Sequence, residues 1–398
     1  MKCRVCSNNI IPFMTFGKMP IANGFLDNKD FNREYFFDLS PAFCSECFTF
    51  QIENQPDPEM MFHENYAFFS KTSKHMQDHF CQYANWVKNN YLQNSDSFVV
   101  EIGSNDGILL ENFLSNGIKQ LGIEPSSNVA QVAIDNGVET IVEFFSKKVA
   151  KDVVDSRGKA DVILAANVMC HIPDLNEIGE AAAILLKDDG VLVFEDPYLG
   201  DMIQKVSYDQ IYDEHVYIFS ALSIQKIFSK SNFDLIDVLP QKTHGGSMRY
   251  VLCQKGKRKI SNNVSDLLKK EKSIGLDSIV RFEKFKSDCE VSKVKLVEKL
   301  NHYLKQGKKV IGYGATSKST TILNYCDIKS DLIKYITDTT PIKQNKFSPG
   351  THIPIKKYED YFNSEVDIAV LFAWNHRNEI ELKEKDFIQN GGKFITHL

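Results

Sequence analysis

Residues 98–107 read FVVEIGSNDG, an apolar run that ends in a glycine loop. A short run of this composition bounded by glycine reads as a buried strand. Gly103 then supplies a tight turn in which the missing side chain lets the backbone approach a ligand closely. Gly107 opens the helix that follows, GILLENFLSNG at 107–117. The next strand, KQLGIEP at 119–125, ends on Glu124. An acidic residue about 20 positions beyond such a loop accepts both hydroxyls of an adenosine ribose. The loop is G-x-x-x-G, not the G-x-G-x-x-G of a dinucleotide fold, so it is a weaker cradle for a pyrophosphate. S-adenosylmethionine has no phosphate and suits a polar loop that carries Asn105 and Asp106 between its glycines.

Outward from this loop the alternation of strand and helix continues. ADVILAAN at 160–167 and VLVFEDP at 191–197 read as strands, and LNEIGEAAAILLKDDG at 175–190 reads as the helix between them. Apolar strands separated by helices form a parallel sheet covered on both faces, so the fold class is α/β, doubly wound and Rossmann-like. The third strand leads into ANVMCHIPD, placing Asn167 and His171 at the carboxyl edge where open sheets bind ligands. For His171, helix capping or local hydrogen bonding is an equally good reading. Met76, Phe80, Tyr83, Trp86, Val87 and Tyr91 fall near helical spacing and predict an amphipathic helix ahead of the sheet. Lysine- and glutamate-rich residues from about 260 to 306 predict one or two long helices.

A second α/β unit begins at KKVIGYGATSKSTTILNY, residues 308–325. Its third glycine position is filled by Ser317, so the pattern for NAD is incomplete. The loop amides with Lys318 suit a phosphate at the helix amino terminus. The expected division is 1–62, 63–256 and 257–398.

The chain has 398 residues, 43% hydrophobic and 25% charged, with a formal net charge of -5. These values predict folded cores and give no global basic field for nucleic acid. No apolar run approaches the roughly 20 residues of a membrane span, and a cytoplasmic address is expected. Cys3, Cys6, Cys44 and Cys47 form two Cys-x-x-Cys pairs among nine cysteines. Two such pairs supply four thiolates for a closed tetrahedral zinc site, structural because no coordination position stays open. The other five, Cys81, Cys170, Cys253, Cys289 and Cys326, are expected as small core hydrophobes.

The richest reactive stretch is YDQIYDEHVYIFS at 208–220, with Tyr212, Glu214 and His215. A neutral imidazole takes a proton near neutral pH, and a carboxylate beside it can orient the ring. Neighbours on a regular strand point apart, so Glu214 and His215 converge only if the backbone is irregular there.

With the two cysteine pairs, NYAFFSKTS, VEIGSNDG, GIEPS, ANVMCHIPDL, YDEHVYIFS, THGGSMRY, GYGATSKSTTILNY, FSPGTHIPI and AWNHRNEI, the chain resembles the sugar C-methyltransferase family of deoxysugar biosynthesis over nearly its whole length. The resemblance implies an amino-terminal zinc module, a central class I S-adenosylmethionine domain and a Rossmann-like carboxy-terminal domain. It implies a nucleotide diphosphate sugar with a 4-keto group as substrate. It also implies His215 as the base, oriented by Glu214, with Tyr66, Tyr212, Asn167, His171 and His244 shaping the pocket, and Lys318 helping to hold the diphosphate. Ala67, Phe68 and Phe69 after Tyr66 depart from the family's pattern of a second tyrosine there. Two rival readings stay open. One is O- or N-methylation of a sugar nucleotide; the other is an NAD-dependent oxidoreductase with Asp338 on the ribose.

Overall fold

The structure is a computed structural model that describes residues 1–61, 74–92, 96–363 and 365–398. Its centre is a seven-stranded sheet. From edge to edge the strands are Phe233–Gln241, Ser247–Gln254, Leu186–Pro197, Ala160–Ala166, Phe98–Ile102, Lys119–Ile123 and Thr140–Ile141. Ser247–Gln254 runs antiparallel to both of its neighbours, and the remaining pairs are parallel. The strand FVVEI is buried at every position, as a central parallel strand covered on both faces must be.

Successive side chains of these strands feed different cores. Val100, Ile163 and Leu192 pack under the helices Lys147–Arg157, Leu175–Leu185 and Ala221–Ser229. Val99, Val162, Leu164 and Val193 pack under the helix Lys74–Tyr91 through Met76, Phe80, Tyr83 and Val87. The helix is tied to the sheet through an ion pair between two of its strands. Arg249 Nε donates to Glu195 at 2.7 Å, and His79 Nε2 meets the other oxygen of Glu195 at 2.6 Å. The guanidinium also lies 4.0 Å above the ring of Tyr83 and 4.5 Å from that of Trp86.

Helices Asn262–Ser273 and Ile279–Lys305 lead to the second α/β unit. Its five strands run Ile355–Lys357, Ile336–Asp338, Val310–Tyr313, Ile368–Leu371 and Lys393–Ile395 across the sheet, all parallel. No helix among the described residues is long and apolar enough to cross a membrane.

The amino-terminal module is woven into the rest. Strands Ile11–Pro12, Pro41–Phe43 and Phe50–Ile52 form a sheet whose fourth strand, Tyr217–Ile218, comes from the stretch that carries His215. Phe43 and Phe13 pack against Phe282 of the long helix, with ring centres 4.5 and 5.2 Å apart. A hairpin of Gly17–Pro20 with Phe36–Leu39 completes the module. Cys170, Cys253, Cys289 and Cys326 are buried as expected; Cys81 is exposed, on the solvent face of its helix.

Candidate active site

The loop after FVVEI is shaped by residues that tolerate a left-handed backbone. Gly103, Asn105 and Gly107 have φ of +64°, +48° and +77°. A Cβ at Gly103 would stand 2.8 Å from one methyl carbon of Val168 and closer still to the other, so only glycine fits. Glu124, buried at the end of the next strand, accepts from the amides of Asn105 at 3.0 Å and Ser126 at 2.8 Å. A carboxylate has about four acceptor positions, of which these amides take two. Burial pushes the Glu124 carboxyl up, and the two amides oppose that shift.

These residues border a cavity of about 610 Å³. Gly103, Asn105 and Glu124 line one side, with Asn167 and His171 beside them. Tyr212, Glu214, His215 and His244 line the middle, and Ser317, Lys318 and Lys343 line the side given by the second α/β unit. Of the expected cofactor residues, Asp106 and Gly107 stand behind this wall. Asp106 is buried, and Gly107 packs where a Cβ would be 3.0 Å from Ala133 and Val138. Tyr66 lies outside the described residues.

His215 sits at the cavity with both ring nitrogens engaged. Nδ1 is 2.7 Å from the Gln210 carbonyl, and Nε2 is 2.9 Å from the Tyr212 hydroxyl. A carbonyl only accepts, so Nδ1 carries the hydrogen and Nε2 offers its lone pair to the tyrosine O–H. Burial holds the imidazole well below its ordinary value, and the neighbouring His171, 5.4 Å away ring to ring, pushes in the same direction. Burial lowers His171 to about 4 and His244 to about 3, Lys318 adding to the second. All three rings are neutral at pH 7.

The orientation of His215 departs from the expected one. The backbone at 212–216 is irregular, as convergence would require, yet the carboxylate of Glu214 accepts from Asn23 Nδ2 at 2.6 Å, and the ring takes its direction from the Gln210 carbonyl. A ring nitrogen makes one in-plane bond, so the carbonyl fills the place intended for Glu214.

On the far side, Lys318 follows the capping residue Thr316 and its ammonium donates to the His244 carbonyl and to Asn375 Oδ1, both at 3.3 Å. Lys343 donates to the Ala315 carbonyl at 2.9 Å. Burial lowers both lysines; Asp209 opposes this at Lys318, and Asp338 and Glu214 oppose it at Lys343. Asp338 repeats the hydrogen-bond pattern of Glu124, accepting from Ala315 N and Thr340 N at 2.7 Å each, but it is not on the cavity wall.

Sequence reasoning passed over Glu101, Gln210, Asn23 and Lys343. Glu101 is buried on the wall with Oε2 unpaired among the described residues, and burial raises its carboxyl well above the usual range. Its place two residues before Gly103 was the available signal. Gln210 acts through its backbone, and Asn23 comes from 191 residues away, so neither leaves a local pattern.

Away from the cavity, the four sulfurs of Cys3, Cys6, Cys44 and Cys47 lie within 4.8 Å of one another. Cys3 to Cys47 is 3.5 Å and Cys6 to Cys44 is 3.4 Å. Zn–S bonds of about 2.3 Å in a tetrahedron separate sulfurs by roughly 3.8 Å, so the donor set fits zinc. Gln51 Nε2 donates to Cys3 Sγ at 3.1 Å, the outer hydrogen bond that such ligands carry.

Three family models match the chain in order. One described as "Putative zinc binding domain" covers residues 3–62, a "Methyltransferase domain" covers 74–238, and a "C-methyltransferase C-terminal domain" covers 242–398. The chain is similar to the C-methyltransferase NovU of Streptomyces niveus, 30% identical over 398 residues, which cover 99% of this chain and 94% of that one. It is 27% identical over 95 residues to a ubiquinone biosynthesis O-methyltransferase of Rhodopseudomonas palustris, covering 24% of this chain and 38% of that one. Among solved structures, the magnesium protoporphyrin IX methyltransferase of Synechocystis PCC 6803 with bound SAH aligns at a TM-score of 0.36 and 15% identity, over 45% of this chain and 83% of that one. The match that decides runs from end to end: the chain belongs to the C-methyltransferase family that includes NovU, S-adenosylmethionine-dependent enzymes with an amino-terminal zinc-binding module.

Proposed function

We propose that the enzyme methylates a carbon next to the ketone of a nucleotide-linked 4-keto deoxysugar, with His215 as the base. The observation that carries this reading is the chain from the Gln210 carbonyl through His215 to Tyr212 at a cavity shared by both α/β units. Gly103, Asn105 and Glu124 would hold S-adenosylmethionine, and the unpaired carboxyl oxygen of Glu101 would receive a donor from it. Bound there, the cofactor supplies an electrophilic methyl group on a sulfonium sulfur.

The ketone acidifies the hydrogen on the neighbouring carbon. His215 Nε2 takes that proton, and the Gln210 carbonyl steadies the imidazolium through Nδ1–H. Tyr212, released from Nε2 as the ring is protonated, donates to the enolate oxygen, where charge appears only during reaction. The enolate carbon then forms its new bond to the methyl group as the carbon–sulfur bond breaks. Asn167, His171 and His244 are pocket residues in this scheme. Glu214, free of the orienting role, serves as an acceptor for a sugar hydroxyl or amine. Lys318, with Lys343 beside it, faces the diphosphate. Their half-buried ammonium groups donate to uncharged oxygens among the described residues, which favours a doubly charged ligand.

The test is incubation with labelled S-adenosylmethionine and a panel of nucleotide-linked 4-keto sugars in D2O, with mass and NMR assignment of the products. New carbon-bound methyl, with deuterium entering the same carbon when the cofactor is withheld, is expected. Methyl on oxygen or nitrogen with no deuterium uptake would overturn the reading.

A further inference from the structure

The segment Ile21–Phe25 belongs to the zinc module by sequence, yet it ends up in the active site. It leaves the strand Gly17–Pro20 and closes a turn in which Gly24 N donates to the Ile21 carbonyl at 3.0 Å. Three further bonds tie it across the molecule. Ala22 N donates to Asp213 Oδ1 at 2.9 Å, Asn23 Nδ2 donates to Glu214 Oε1 at 2.6 Å, and Thr320 Oγ1 of the second α/β unit donates to the Ala22 carbonyl at 2.8 Å. Asn23 is itself on the cavity wall.

Asp213 and Glu214 are consecutive acidic residues, 1% and 4% exposed. Two neighbouring carboxyl groups out of water cannot easily share a double charge, and burial with Glu214 beside it pushes the Asp213 carboxyl well above the usual range, so each group needs a donor to hold it in place. The zinc module supplies a donor to each, Ala22 N to Asp213 and Asn23 Nδ2 to Glu214.

We propose that Asn23 is a positioning residue for the reaction: its amide fixes the Glu214 carboxylate on the cavity wall, so the zinc module sets the geometry of the substrate side of the active site. This rests on the reading of Glu214 as a substrate acceptor. It also gives the module a part in specificity. The distance from Asn23 fixes where a sugar hydroxyl or amine must lie to reach Glu214.

The test is a double-mutant cycle on kcat/KM in the full-length, zinc-loaded enzyme, using Asn23→Ala, Glu214→Ala and the double variant. Losing a hydrogen bond to a charged group is expected to lower kcat/KM roughly 10- to 100-fold in Asn23→Ala, with wild-type zinc content. The double variant should then be no worse than Glu214→Ala, because Asn23 acts only through Glu214. Additive losses would overturn the proposal. Asn23→Asp keeps the shape and removes the donor, so it should fall at least as far as Asn23→Ala; near-normal activity in it would show that only packing matters. If the wild-type enzyme methylates none of the keto sugars, it is the functional reading that fails. The same cycle run on the thermal midpoint then decides the Asn23–Glu214 coupling without substrate, with additivity again the overturning result.

Discussion

For His215 as the proposed base, burial keeps the imidazole in the neutral form, the one that can accept a proton. Its lone pair is aimed by one backbone carbonyl and guarded by one hydroxyl. Burial keeps the native imidazole deprotonated well below 6.5. The active form is neutral, so activity is lost as pH falls through the lowered native value, not at 6.5. A profile of kcat/KM against pH reports the free enzyme, and its plateau should extend below pH 6.5 before the acid limb begins. An acid limb centred at or above 6.5 would contradict the assignment. Tyr212→Phe removes the hydroxyl and leaves Nε2 its lone pair. It should lower kcat roughly 100-fold, and deuterium uptake at the sugar carbon should fall with it, because both pass through the enolate that the hydroxyl stabilises. At this scale the sequence was only half legible. The types Tyr212, Glu214 and His215 announced proton chemistry, but which of them orients the ring was hidden, because a backbone carbonyl is present at every residue and has no letter of its own.

Elements were more legible, and the reason is local periodicity. FVVEIG, KQLGIEP and ADVILAAN declare themselves within a few residues, and the helix stripe Met76, Phe80, Tyr83 and Val87 is buried as its spacing predicts. The loop between the first strand and its helix is equally constrained. Gly103→Ala would force a Cβ against Val168 at a positive φ, with strain of about 1–3 kcal/mol. Calorimetry should show weaker binding of S-adenosylhomocysteine together with a lower thermal midpoint, and the added Val168→Ala change should restore part of both. What periodicity cannot show is which elements are bolted together. Glu195 and Arg249 are 54 residues apart, and nothing near either of them predicts the ion pair. Their side chains are 2% and 6% exposed, so Arg249→Ala would leave the Glu195 carboxylate in the interior without its arginine, with His79 on its other oxygen. Such losses cost about 3–5 kcal/mol, and denaturant unfolding should read a drop of that size. A near-neutral result would mean that Glu195 takes up a proton in the variant, which a stability loss growing with pH would reveal.

At the scale of the molecule, the sequence marks the zinc module as a segment of its own, and the fold weaves it into the wall of the cavity through Asn23. Its strand Phe50–Ile52 pairs with Tyr217–Ile218, so the residues just after His215 complete the module's sheet. Ile52 N donates to the Val216 carbonyl at 2.9 Å. On the cysteine side, Asn176 Nδ2 donates to the Val5 carbonyl at 3.2 Å, and Lys230 donates to the same oxygen. Metal binding by four thiolates is folding free energy for a segment this small, so removing zinc should loosen the strand that anchors His215. The loop that carries Gly103 and the carboxylate of Glu124 belongs to a different sheet; one face of it shares a core with Val5, Ile10 and the cysteines, and the other packs under the helix Lys74–Tyr91 in a core with no residue of the module. Chelation, or Cys44→Ser, should therefore separate two properties that a single compact domain would lose together. S-adenosylhomocysteine affinity should stay within about threefold, while methyl transfer falls at least about 100-fold, as misplacement of a reacting group by an ångström can cause. Zinc content, calorimetry and turnover measured on one preparation make the comparison. Full turnover in zinc-free protein would refute the coupling, and equal loss of cofactor binding would show that the central sheet also depends on the metal.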